Sequence, residues 1–305
     1  ACEDFQSEGI KIIIGPVDSK FVNDLKEFDD LVFLSLSNMN SIIEKNIIMM
    51  GINLESQLLA IKNFIDKNNK KKIVILYPDN KYAKHVEKNI RSADFKNSRI
   101  FKYSKDPKIL TGQIEKLTDY KKRKINLNAR VKKLEESDNP KDIRELNKLK
   151  QKYTLGKINF DSVIIIDFGN GLKSVLTSLA YTDVSEKDAL IITANQWFNK
   201  NIVKETSIKS FYFPSINLKN FEKFNKRFYK SYKYNPNEIT ILAYDTMGLI
   251  YYLWKNDTRI ESAKNFNFKK DIKGKIGNFK ISDNKVIQKL NIYQLENNTF
   301  VKSKF

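Results

Sequence analysis

The chain has 305 residues, 41% of them hydrophobic, with 55 Lys and Arg against 36 Asp and Glu, a net charge of +19. That length carries two lobes with two cores, and that hydrophobic share suits a folded protein better than a disordered one. No apolar run approaches the roughly 18–20 residues of a membrane span, and one cysteine with one histidine excludes an intrachain disulfide and a Cys/His zinc site.

Ala1–Glu8 reads as the tail of a helix closed by Gly9. Cys2 behind Ala1 suggests a lipid-modified cysteine, yet the chain runs at once into a strand and leaves no tether. Without Met or a signal-peptide pattern at its start, the chain reads as a fragment or processed form whose address is missing. Ile10–Ile14 is a continuous apolar run, as expected for a strand covered on both faces. After Gly15-Pro16, the spacing of Phe21, Val22, Leu25 and Phe28 predicts a helix. Leu31–Leu34 and Ile47–Met50 follow as strands, the second ended by Gly51. Asn53 caps a helix with a stripe of Leu54, Leu58, Ile61, Phe64 and Ile65.

Lys72–Tyr77 is a buried strand closed by Pro78-Asp79-Asn80. A helix through Tyr82, Val86 and Ile90, a strand at Ser98–Tyr103 and a helical pattern from Pro107 to Tyr120 come next. This alternation implies a parallel sheet with right-handed crossovers. Residues 119–153 interrupt it with 12 Lys and Arg against 6 Asp and Glu, sparse apolar positions at Leu127, Val131, Leu134, Ile143, Leu146 and Leu149, and a turn at Ser137–Pro140. An inserted helical hairpin packed on itself is expected, serving either as a solvated spacer or as a docking arm. Ser162–Ile166 resumes the sheet, Leu172–Leu179 forms a helix, and Ala189–Thr193 is a strand running into Asn195-Gln196-Trp197. Phe211–Phe213 is a short strand stopped by Pro214. Phe221, Phe224, Phe228 and Tyr232 mark an aromatic helix whose rings are expected to face the core, and Glu238–Trp254 is the most apolar helix. Gly274–Phe279, Val286–Leu295 and Thr299–Val301 read as hairpin strands turning at Ser282-Asp283-Asn284.

Catalytic signatures are missing. His85 would have to serve any Ser-His-Asp triad, but it sits inside a helix and no Gly-x-Ser-x-Gly elbow exists. Neither phosphate-cradling glycine loop is present, and Gly169-Asn170-Gly171 is too short for one. Asp79 and Asp167 end separate strands, where loop capping is the default role and an acid/base or metal pair the alternative. The surplus of Lys is spread along the chain beside abundant Asn and Ile, which favours a compositional bias over a nucleic-acid surface.

One order of signals is specific. Gly15-Pro16, Leu34-Ser35-Leu36-Ser37-Asn38, Gly51, the strand and loop from Lys72 to Lys84, Ala243-Tyr244-Asp245 and Gly274–Phe279 together resemble the type I periplasmic-binding fold from about Gly9 to Val301, with 119–153 inserted. The resemblance implies an α/β, two-lobed Venus-flytrap of parallel sheets flanked by helices, with an inserted helical hairpin and a first lobe incomplete at its N-terminus. It divides the chain into 1–70 as the first part of lobe 1, 71–210 as lobe 2, and 211–305 as the return to lobe 1. Two subfamilies fit: amino-acid receptors of ABC transporters, and the activator lipoproteins of penicillin-binding proteins that regulate peptidoglycan synthesis. The Ser35–Asn38 loop, Asn195-Gln196-Trp197 and Phe213-Pro214-Ser215 look more like the activators. Ala83 stands where a receptor commonly has Gly, and no acidic residue is clearly placed to pair an amino group.

The resemblance therefore implies a non-enzymatic periplasmic protein whose lobes close by a hinge on a small molecule or a peptidoglycan synthase. Ser19, Ser37 and Asn38 would act from lobe 1, and Tyr82, Asn195 and Trp197 from lobe 2. Turn and cap chemistry is the competing role of Ser19 and Ser37, and lobe packing that of Trp197. No cofactor, metal or nucleic acid is expected, and membrane contact only through a lipid anchor outside these residues, on the outer membrane if there is one.

Overall fold

The structure, a computed structural model, describes residues 1–39, 44–199, 210–256, 259–268, 270–296 and 298–304. The chain divides into two compact units. One holds Ala1–Lys62, Lys88–Ala93 and Pro214–Ile292; the other holds Asn63–Glu87, Asp94–Phe213 and Tyr293–Phe305. In chain order the helices are α1 (Cys2–Ser7), α2 (Leu54–Lys67), α3 (Ala83–Ser92), α4 (Pro107–Leu117), α5 (Tyr120–Glu135), α6 (Pro140–Leu149), α7 (Gly169–Tyr181), α8 (Leu218–Tyr232) and α9 (Glu238–Lys255).

The first unit is built on a six-stranded sheet. Strands β1 (Ile12–Ile14), β2 (Val32–Ser35) and β3 (Ile47–Met49) run parallel, with Ile13 opposite Phe33 and Leu34 opposite Ile48. The order continues through β11 (Lys285–Gln288), parallel to β3, and then β10 (Asn278–Ser282) and β9 (Ile272–Lys273), which alternate in direction. β1 is only half-buried, not covered on both faces, and among the described residues it pairs on one side alone, with β2. The helix expected after Gly15-Pro16 is instead two 3₁₀ turns, Ser19–Phe21 and Asn23–Glu27. The Asn46 carboxamide donates to the carbonyls of Leu25 and Phe28 at 3.0 and 2.8 Å, holding that short connection in place. The apolar spacing still finds the core, since Val22 packs with Leu31, Phe33, Ile47 and Met49, and Leu25 and Phe28 cover them.

The second unit carries a seven-stranded sheet in the order β13 (Thr299–Lys302), β12 (Asn291–Glu296), β8 (Phe211–Ser215), β7 (Leu190–Thr193), β6 (Ser162–Ile165), β4 (Ile73–Pro78), β5 (Arg99–Tyr103). From β8 to β5 the strands are parallel, and the central ones are buried along almost their whole length. That is why they read as uninterrupted Val/Ile/Leu runs. Two expectations change here. Pro214 lies within β8 instead of ending it. The predicted strand Val286–Leu295 breaks at Lys289-Leu290, giving β11 to the first sheet and β12 to the second. The tail assigned to lobe 1 by a boundary at 211 thus ends with β12 and β13 hydrogen-bonded into the seven-stranded sheet.

The insertion is a helical hairpin. α4 stops at Leu117 instead of reaching Tyr120, because Asp119 turns left-handed at φ +52° and α5 starts anew. Leu127, Leu134 and Leu149 form a small core of their own with Val131, Leu146 and Leu155 against it. Ile143, predicted for the same stripe, faces solvent. Arg130 grips Glu145 with two bonds of 2.9 and 2.8 Å between α5 and α6.

Candidate functional site

In the first unit the loops leaving β1 and β2 are tied together. Gly15 N–H donates to the Leu34 carbonyl at 3.0 Å, Leu36 N–H to the Pro16 carbonyl at 3.0 Å, and the Ser35 hydroxyl to that same carbonyl at 2.9 Å. Gly51, after β3, is a glycine for contact reasons, since a Cβ there would collide with the backbone of Ser37 and Asn38. Ser37 is buried at 4% exposure, and its hydroxyl accepts the Met39 N–H at 3.2 Å. Ser19 sits half-buried in the first 3₁₀ turn, which Asp18 caps through Lys20 N–H. Asn38 is exposed. The parallel sheet thus gathers these loops at the carboxyl edges of adjacent strands, where open α/β sheets bind ligands.

The second unit gathers its own set at the ends of β4, β6 and β7. Tyr82 follows β4, 49% exposed, with its N–H donated to the Asn80 carboxamide at 2.8 Å and the Lys81 ammonium over its ring at 5.2 Å. Asn195 follows β7 and is buried, its carboxamide oxygen accepting the Trp197 N–H at 3.0 Å. Trp197 and Phe198 both take left-handed backbone angles, φ +44° and +58°. Each costs roughly 1–2 kcal/mol for an ordinary side chain. The Phe198 ring offsets this by packing edge-on to Tyr293 at 5.0 Å, Phe300 at 5.7 Å and Phe213 at 5.9 Å. The aromatic cluster thereby fixes the turn that presents the half-buried Trp197.

Asp167 follows β6 and acts as a loop cap. Tyr103 donates its hydroxyl to it at 2.5 Å and Phe168 its N–H at 2.8 Å, and a Cβ at Gly171 would strike the carboxylate. Burial, reinforced by the adjacent Asp167, pushes the Tyr103 phenol far above its ordinary value, so it remains a donor. Among the described residues no group of three or more His, Cys, Asp or Glu is arranged to hold a metal, and no helix is long and apolar enough to cross a membrane. His85 lies half-buried on α3.

The roles of two organising residues escape sequence reasoning. Arg123, on α5, is buried at 5% exposure and donates to the carbonyls of Thr182 and Asp183 at 3.1 Å each, to Gly156 at 3.3 Å and to the Thr154 hydroxyl at 2.7 Å. It caps the C-terminus of α7 and bolts the hairpin to the seven-stranded unit. Inside the Lys-Lys-Arg-Lys run it looks like any solvated cation. Asp245, on α9, accepts the N–H groups of Lys275 and Ile276 at 2.7 and 3.0 Å, and a Cβ at Gly274 would clash with it. The Ala243-Tyr244-Asp245 and Gly274–Phe279 motifs are therefore one device, a carboxylate clasping a glycine turn. Burial pushes the Asp245 carboxyl above its ordinary 3.8, against the pull of those two N–H groups and Lys275.

No family model matches the chain, and no curated protein sequence matches it. Solved structures do. The C-domain of LpoA (YraM) from Haemophilus influenzae, a regulator of PBP1A, is similar over 99% of this chain and 85% of that one, with a TM-score of 0.62 at 12% identity. An ABC transporter substrate-binding protein from Desulfitobacterium hafniense matches over 99% and 83%, with a TM-score of 0.60 at 15% identity, and a leucine complex from the same organism has a TM-score of 0.58. Against a full-length Haemophilus influenzae LpoA the chain spans about half the length, 49%. The chain has the type I periplasmic-binding fold, which these regulators and solute-binding proteins share.

Proposed function

We propose that the chain is a non-enzymatic binding protein of the periplasm that regulates a peptidoglycan synthase, as an activator of penicillin-binding proteins does. One observation carries this over the receptor alternative. The polar side chains at the carboxyl edges are engaged by their own loops: Ser35 on the Pro16 carbonyl, Ser37 by Met39 N–H, Asn195 by Trp197 N–H. A receptor for a free amino acid needs such groups turned toward an ammonium and a carboxylate, together with a carboxylate of its own. In this reading Ser19, Asn38, Tyr82 and Trp197 supply contact surface, Ser37 and Asn195 shape the loops beneath, and the Arg123-anchored hairpin is the docking arm. The second reading, an ABC-type solute receptor, is favoured by the similar TM-scores of the substrate-binding proteins.

The deciding experiment pairs two measurements on the full chain. Retention of a purified bifunctional peptidoglycan synthase, with faster glycan polymerisation, supports the regulator. A saturable rise in melting temperature with leucine or another free amino acid, without synthase retention, overturns it in favour of the receptor.

A further inference from the structure

The first unit contains a trough made from none of the carboxyl-edge loops. Two concavities of about 530 and 640 Å³ share Asn220, Tyr244 and Lys275 as a common wall. The first is lined by α8, where only Phe224 of the four predicted core rings is buried. Phe228 stacks between Phe224 at 5.9 Å and Tyr232 at 4.6 Å, and Tyr232 is left 61% exposed. The helix's rings pack on one another, so they line a groove where a core stripe was expected. The second concavity continues along α9 past Gly248 and Tyr252 to β9.

Three properties of the trough point to its occupant. Its cations are Lys223, Arg227, Lys255, Lys273 and Lys275, while Asp245, the carboxylate on its wall, is taken up by backbone N–H groups. Gly248 sits mid-helix with nothing within 4 Å of the place a Cβ would occupy. A glycine there costs about 1 kcal/mol against alanine, without a packing reason among the described residues. It opens a notch between Tyr244 and Tyr252 on the exposed face of α9. Finally, β9 is the outer strand of the six-stranded sheet among the described residues, and its Ile272 and Lys273 line one wall.

We propose that this trough docks an extended acidic peptide segment of a partner protein. Its carboxylates pair with the five cations, one apolar side chain enters the Gly248 notch, and its backbone runs along β9. The sheet edge favours a peptide over an anionic glycan, which has no amide ladder to offer. A second copy of a +19 chain would bring like charge to a basic groove. The proposal is independent of what the carboxyl-edge loops recognise.

Fluorescence anisotropy with a labelled peptide alternating Glu and Leu, at physiological salt, tests it. Saturable binding is expected. Gly248→Leu should weaken it about tenfold or more while holding or raising the melting temperature, since the site has room and leucine favours helix. Arg227→Glu with Lys275→Glu should weaken it similarly, and the exposed pair Lys157→Glu with Lys187→Glu, an equal change in charge, should not. The proposal is overturned by absent saturation, by an affinity indifferent to Gly248→Leu, or by equal loss in the control pair. Tighter binding of an oligonucleotide or sulfated glycan with the same variant sensitivity also overturns it, as does self-association abolished by Gly248→Leu.

Discussion

Buried Arg123 and two half-buried aspartates show how much of this molecule is decided by single polar groups. Replacing Arg123 with Met keeps the stem volume but leaves the carbonyls of Gly156, Thr182 and Asp183 without their donor. A loss on the order of 3 kcal/mol is expected in urea unfolding. Asp161 and Asp245 carry opposite pH signatures. Burial pushes the Asp161 carboxyl up, but the N–H groups of Lys71 and Lys72 and the Ser162 hydroxyl outweigh it and hold the group below 3.8. Its contribution is present above the unfolded value and lost as pH falls through the folded one. Asp161→Asn should cost about 1 kcal/mol at neutral pH, allowing for solvent screening, and the gap to wild type should close toward pH 3. Asp245 sits above 3.8 when folded, so its contribution is present below that value and lost as pH rises through the folded one. The gap between wild type and Asp245→Asn should therefore widen on acidification. Melting curves of both variants from pH 7 to about pH 3 check the two signs together. Neither signature was legible in the sequence, where an Asp just before a strand and an Asp on a helix look alike.

At the scale of elements, hydrophobic patterning located nearly every strand and helix but misjudged pieces that tertiary contacts override. The turns after Gly15-Pro16 kept their apolar spacing and lost the helix. The aromatic spacing on α8 was right for a helix and wrong about where the rings go, because a period of three to four residues also lets neighbouring rings stack. Of the proposed contact residues, the loops were legible from the Gly, Pro, Ser and Asn clusters behind apolar runs. The strained presentation of Trp197 was not, since it depends on rings as distant in the chain as Phe300. Phe198→Ala should cost about 3 kcal/mol and shift the Trp197 emission, as the turn loses its anchor. The hairpin invites a cut that spares its bolt. Replacing residues 128–148 by a short Gly-Ser linker leaves Arg123 and Thr154 in place and removes the exposed Arg130–Glu145 pair together with Val131, Leu134 and Leu146 of the hairpin's own small core. The trimmed protein is expected to fold with unchanged far-UV dichroism per helical residue and to lose retention of the synthase. Full retention would make the hairpin a spacer.

Across the whole molecule, the charge of +19 sets a background against which any docking must be judged. Attraction to anionic surfaces should fall steeply as salt rises beyond about 150 mM, where the screening length shortens to about 8 Å, whereas a shaped interface should survive. Binding to anionic vesicles and to the synthase, each titrated with salt, separates the two contributions. The division of one apparent strand between two sheets at Lys289-Leu290 was invisible in the sequence, because no Gly or Pro marks the break between the two apolar halves. That division also has a history in time. β3 acquires its second neighbour only when β11 arrives, and Asn53 finds the Val286 carbonyl 233 residues further along. At translation speeds of roughly 5–20 residues per second, the first three strands wait on the order of 10–50 s with an apolar edge unpaired. A ribosome-bound chain of this protein is thus a standing client for whatever shields strand edges in the cell.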